Sequence, residues 1–282
     1  MTASDDPGDP LLTGADPADP AALRARVDAV VGAAQRRWLG DALAAVRADA
    51  AALAARFPAV GRKVGRGPLD PAAARDDVHA VTVDDAARAL LLDAAERAHG
   101  PGAARIESLY AQGDTAERRA VLRALPLLDR SGPGDRPGDR RGGRLGDRGV
   151  PLVVDAIRTN DGRLLAAALG PYATRHLDDQ AWDQAILKCV FVGVPLGGVA
   201  GLDRRAGPGL ARMLADYAHE RVAAGRDVPA DVWPIIVRHR PDALARIDAE
   251  LDSPVPGRRA AARRALDAMA AARRGAAAAD RA

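Results

Sequence analysis

The sequence predicts an all-α fold, either an α-solenoid-like stack of the HEAT or armadillo kind or an irregular helical bundle. Three observations point there. Hydrophobic residues make up 48% of the 282-residue chain but aromatics only 3%, so a core must come mostly from Ala, Leu and Val. That suits close-packed helices better than sheets, which favour β-branched and aromatic side chains. Apolar residues recur at helical spacing, and Gly and Pro cut the chain into short runs spaced like antiparallel helix pairs.

Residues 1–20 carry five Asp and no base and are broken by proline, which predicts a disordered acidic N-terminus. Residues 21–130 form an Ala- and Arg-rich helical region. From Pro20 to about Phe57 the pattern gives one long or two shorter helices, interrupted at Gly61–Gly67. Thr82 with Asp85 three residues on reads as a capping box, opening a helix that stops at Gly100-Pro101. Helices over about 102–112 and 115–128 follow. Residues 131–149 hold seven Gly and two Pro and almost nothing apolar, the composition of a flexible linker or loop. Residues 150–252 form a second helical domain of short helices with short breaks. The basic segment 253–282 places its Arg on all sides of a helical wheel without an aromatic platform, so it reads as a solvated, frayed end that argues against nucleic-acid binding.

Composition also excludes function classes. The single cysteine, Cys189, rules out an internal disulfide framework and a cysteine-rich metal site. None of the four serines lies in G-x-S-x-G. His219-Glu220 begins like H-E-x-x-H, but the fifth position is Ala223; His176, His219 and His239 read as isolated surface histidines. No metal or cofactor is expected. The N-terminus lacks the basic and apolar regions of a signal peptide and no apolar run reaches the roughly 18 residues of a membrane span. The expected protein is cytoplasmic, with peripheral membrane contact left open.

The chain is compositionally biased: 39 of its 41 basic residues are Arg, and it has one Asn. Residues that resist the bias, among them Asn160, Lys188, Phe191, Tyr217 and Trp233, cluster between 151 and 236, which marks that stretch as the constrained, working part. Within it, Asp155 and Arg158 are i,i+3 neighbours, and Asn160-Asp161-Gly162 signals a helix stop. Their plain reading is a local ion pair and a turn; the sharper one pairs Asp155 with a base on another helix. Arg221 is the candidate, because in LARMLADYAHERVAAGR (210–226) it shares the apolar stripe of Leu210, Leu214 and Tyr217, and a buried guanidinium needs a partner. Two other accounts of Arg221 stand beside this: its stem snorkels along the core edge, or it closes the last helical turn before Gly225. Arg205, in a glycine-rich stretch leading into that helix, is either an anion ligand or part of a plain connection. Lys188 is either an anion ligand or an ordinary exposed lysine, on the helix face opposite Trp182, Ile186 and the buried, inert Cys189. Asp155, Arg158, Asn160, Lys188, Arg205, Tyr217 and Arg221 are therefore the candidate ligand- or partner-binding residues.

The succession DAIRTN at 155–160, PY at 171–172, WDQAILKCVFVGVPL at 182–196, GLDRR at 201–205, LARMLADYAHERVAAGR at 210–226 and VPADVWP at 228–234 resembles the EboA family. The resemblance covers roughly residues 150–240; the front half matches only as generic Ala- and Arg-rich helix. It implies a helical protein encoded in a small bacterial gene cluster, also found in some algae, beside a prenyltransferase-like membrane protein and several hydrolase- or isomerase-like enzymes. That cluster is associated with making or moving a secondary metabolite, including export of a precursor toward the periplasm. The resemblance supplies a pathway but no catalytic residues.

Together these readings favour an accessory protein without catalysis of its own, binding a pathway metabolite or a partner enzyme of the cluster on a helical surface. The alternative is an enzyme using Asp155, Lys188, Arg205 and Arg221 on a phosphorylated or prenylated metabolite.

Overall fold

The computed structural model describes residues 19–74, 76–129, 145–240 and 245–279. Among them the structure is all-α, with no strand and an isolated antiparallel bridge between Pro68 and Thr82. Residues 1–18, most of the expected acidic N-terminus, and 130–144, most of the expected linker, lie outside the described residues. Contacts divide the chain into two compact units, one formed by residues up to Leu177 with Gly198–Gly201 and the other by Asp178–Gly197 and Leu202 onward.

The first unit holds α1 (Pro20–Val30), α2 (Ala33–Ala48), α3 (Ala52–Lys63), α4 (Val83–His99), α5 (Ala103–Gln112), α6 (Thr115–Leu128), α7 (Val150–Arg158), α8 (Gly162–Ala168) and α9 (Pro171–His176). Its organising element is α4, which opens on the expected capping box of Thr82 and Asp85 and stops at Gly100, where φ is 75°. Only its last turn, Arg97 to His99, is exposed; every residue from Val83 to Ala95 is buried, so this part of the helix has no solvent face and sits inside the unit. Five of those positions are alanine, which lets neighbouring backbones close in. Helices α1, α2, α3 and α6 pack around it, while α5 and α8 pack on α6. One helix enclosed by four others, two of them distant in the chain, is the irregular-bundle form of the expected fold.

The front of the chain departs from the sequence reading in one respect. Residues 20–63 form three helices, and α3 runs on past Pro58 and Gly61 to Lys63. Its apolar stripe of Leu53, Phe57 and Val60 is fully buried, and that packing holds the helix through a proline that would otherwise end it. At the far side of 130–144, the last five residues assigned to the linker are ordered. Leu145 is buried and Gly146–Gly149 make one 3-10 turn leading into α7.

The second unit comprises α10 (Asp179–Val192), α11 (Leu202–Arg205), α12 (Pro208–Ala223), α13 (Trp233–His239), α14 (Ala245–Asp248) and α15 (Pro256–Ala279). Asp178 caps α10 by accepting from the Ala181 N–H at 2.7 Å, and Gly193 ends it in the left-handed region. Trp182, Ile186, Cys189 and Val190 face inward as expected. Within the described residues the basic C-terminal segment is not frayed: α15 packs against α12, α13 and the turn at Ala249–Asp252. Ala261, Ala262, Ala265 and Met269 are its buried stripe. Arg on every side of the wheel misled the reading, because alanines alone make a sufficient apolar face, and Arg258 and Arg264 reach Glu250 and Asp227.

Candidate functional site

The start of α4 gathers one cluster of buried charge in the first unit. Asp84, Asp85 and Arg88 are completely buried, and Arg123 of α6 nearly so, which is tolerable only if each is paired. Asp84 accepts from Arg88 Nη1 and from the Thr82 hydroxyl, both at 2.6 Å. Arg88 Nε donates to the Phe57 carbonyl on α3 at 3.1 Å. From α6, Arg119 Nε lies 3.0 Å from both carboxylate oxygens of Asp85, and its Nη2 donates to Thr82 Oγ1 at 2.9 Å. Arg123 donates to the carbonyls of His79 and Val78 at 3.0 and 3.1 Å. The network thus fastens α4 to α6 and both to the loop 64–82. That loop is pinned at its other edge by Leu69 N–H to Val81 O and Val83 N–H to Gly67 O, at 2.8 and 2.9 Å.

Beside this network lies an open cavity of about 400 Å³. Thr82 and Arg119 line it, so one part of its wall is the hydrogen-bonded network itself. Arg66 from the loop after α3 and Arg163 from α8 add two more guanidiniums, and Asp76 and Asp77 add two carboxylates. Arg119 is only 12% exposed, held in place by Asp85. Arg163 is exposed and makes long contacts to Asp161 at 3.4 Å and above. Asp77 accepts from the His79 N–H at 2.9 Å, closing a turn. Such a wall, rich in donors at some points and acceptors at others, suits hydrogen bonding to a polar small molecule.

The residues singled out from sequence fall into separate settings. In the first unit Asp155 does not pair with Arg158; its carboxylate accepts from the Tyr110 hydroxyl at 2.8 Å. Tyr110 is buried, and its phenol needs an acceptor more than an exposed arginine needs a counter-ion. Burial, then the Asp155 carboxylate, drives the Tyr110 hydroxyl well above its ordinary range. Arg158 and Asn160 are exposed at the end of α7. The expected turn is present, with Asp161 capping α8 through the N–H groups of Arg163 and Leu164. In the second unit Arg205 bonds Asp179 at 2.7 Å and lies over the Trp182 ring, 4.9 Å from its centroid. Arg221 is half-buried; its Nε donates to the Asp227 carbonyl beyond Gly225, and its guanidinium lies over Tyr217. Arg221 therefore finds its partner just past the end of its own helix. Tyr217 is buried and meets the ring of Phe191 edge-on at 4.9 Å. Lys188 is half-buried on α10.

His176 is not the isolated surface histidine the sequence suggested. Its side chain is wholly buried between Asp129 and Asp147, at 2.8 and 3.0 Å, and stacks on Tyr172. Arg175 also bonds Asp129, at 3.1 Å, so the cluster ties α9 to the end of α6 and to the 3-10 turn before α7. Among the described residues no three His, Cys, Asp or Glu side chains are grouped to hold a metal ion.

A family model described as metabolite traffic protein EboA matches residues 21–237. The chain belongs to the EboA family. The EboA match begins within α1 and ends within α13, so it takes in α2–α6, to which the resemblance read from sequence had carried nothing, and it includes every residue of the cavity wall. No curated protein and no solved structure matches the chain. Among the described residues no helix is long and apolar enough to cross a membrane. Sequence reasoning missed Arg66, Arg119 and Arg163 because single arginines in an Arg-rich chain carry no signal. The usable clue was DDAARALLLDAA at 84–95: Asp84, Arg88, Leu91 and Leu92 fall on one side of a helix, so the charges had to share the apolar face and needed partners from another element.

Proposed function

We propose that the protein is a non-catalytic accessory protein of metabolite traffic, which holds a pathway metabolite in the polar cavity beside α4. It serves a secondary-metabolite biosynthesis or precursor-export gene cluster, in the cytoplasm, and hands its ligand to the enzymes encoded alongside it. The family match to a metabolite traffic protein, over a span that contains the whole cavity wall, carries this reading. The wall is rigid where it meets α4, and a preformed site binds without first having to order itself.

The enzymatic alternative asks Asp155, Lys188, Arg205 and Arg221 to act on one substrate. Tyr110 occupies Asp155, Asp179 occupies Arg205 and the Asp227 carbonyl occupies Arg221, and these separate pairings favour the accessory role. A partner enzyme is the second reading, favoured by Phe191, which is 65% exposed beside Val192. In that reading Lys188, Tyr217 and Arg221 border an aromatic contact point on the second unit, while Asp155, Arg158 and Asn160 form a polar one on the first. A thermal-shift screen against small-molecule extract of the producing organism separates the two: a metabolite carrier is stabilised by extract alone, a docking protein only by its partner.

A further inference from the structure

Granting that the cavity beside α4 holds a metabolite, its lining narrows the ligand's chemistry. We propose that it binds a phosphorylated small molecule that also carries hydroxyl or amine donors, with the phosphate held by Arg66, Arg119 and Arg163.

Three arginines line one cavity of about 400 Å³ from three elements: the loop after α3, helix α6 and helix α8. A phosphate presents several acceptor oxygens around one centre, which converging guanidinium forks satisfy better than a carboxylate would. Arg119 is the fixed member. Its Nε and Nη2 are taken by Asp85 and Thr82, which orients the remaining Nη1 without using it. Arg66 and Arg163 are exposed. Arg66 forms no ion pair among the described residues, and Arg163 has only its long contacts to Asp161, so both are available to a ligand. Asp76 and Asp77 also line the cavity, and Asp77 has one oxygen engaged with His79. These carboxylates repel a bare phosphate and accept from hydroxyl or ammonium groups. The lining therefore favours a phosphate joined to a donor-bearing body over a free phosphate ion or an apolar phosphate ester.

The test is titration calorimetry of the full chain at low salt with pyrophosphate and glucose 6-phosphate as probes. Both should bind saturably at one site, glucose 6-phosphate the more tightly, and the double variant Arg66→Glu/Arg163→Glu should weaken both at least tenfold. Arg246→Glu, an exposed change on the second unit, should leave them unaltered. Asp76→Ala, which removes the acceptor, should weaken glucose 6-phosphate relative to pyrophosphate, since only the sugar brings hydroxyls. Pelleting with phosphatidic acid vesicles, lost in the double variant, would show that an apolar phosphate ester suffices and would overturn the donor-bearing part of the assignment; no pelleting is the expected result. Failure of both probes to bind, or equal binding by the double variant, overturns the phosphate assignment. If extract still stabilises the protein in that case, the metabolite reading survives without the phosphate; if extract does nothing either, both fall.

Discussion

Arg88 and Cys189 show how much single side chains decide here. Arg88 is enclosed with Asp84 inside the first unit, and removing one partner of a buried pair leaves the other charge stranded, at a cost of about 3–5 kcal/mol. Arg88→Leu should therefore lower unfolding stability by that amount in urea, and Asp84→Leu in the same chain should restore part of the loss. A loss below about 1 kcal/mol would mean that the pair is not buried as described. Cys189 behaves oppositely, by keeping a proton. Burial, then the Asp231 carboxylate, pushes its thiol up to about 12 from an ordinary 9.0. Between those values the unfolded chain releases a proton that the folded chain retains, so stability falls as pH climbs above 9. The raised phenols of Tyr110 and Tyr172 act in the same direction from about pH 10. The urea midpoint should drop between pH 8 and pH 10.5, and Cys189→Ala should make that slope shallower; an unchanged slope would contradict the buried thiol. The inward face of Cys189 was legible from helical spacing alone. The Asp155–Tyr110 bond was not, because the two residues stand 45 positions apart and no local pattern connects them.

At the scale of the element, caps and stops were readable wherever side chain and backbone interact within a few residues. The Thr82–Asp85 box and the Gly100 stop are of that kind. Elements set by packing were less readable. Helix α3 runs through Pro58, and α15 forms from a segment whose arginines suggested solvent on every side. Substitutions along α15 should therefore have unequal effects. Met269→Asp, at a buried position, should destabilise by about 3 kcal/mol, whereas Arg273→Asp, at an exposed one, should stay within about 0.5 kcal/mol. Equal and negligible effects in thermal melts would mean the frayed tail expected from sequence.

For the whole molecule, the fold class was written in composition, since a chain so poor in aromatics and rich in alanine has few ways to fill a core except with closely spaced helices. The composition shift near residue 150 is a different matter. Helices α7, α8 and α9 lie beyond it, yet α8 packs on α6 and the contact units divide at Leu177 and Asp178. Residue type along the chain does not report which helices touch. The cavity beside α4 was illegible for the same reason, as its wall draws on residues from Arg66 to Arg163.

The central claim is that this cavity is where the protein holds its metabolite. The most direct measurement is a thermal-shift comparison of the wild type and Arg66→Glu/Arg163→Glu in the same small-molecule extract. A ligand at about 100 times its dissociation constant adds roughly 2.7 kcal/mol, a shift on the order of 5–10 °C for a chain of this size. That shift is expected in the wild type, and its loss in the double variant. An equal shift in both proteins would put the ligand elsewhere and contradict it.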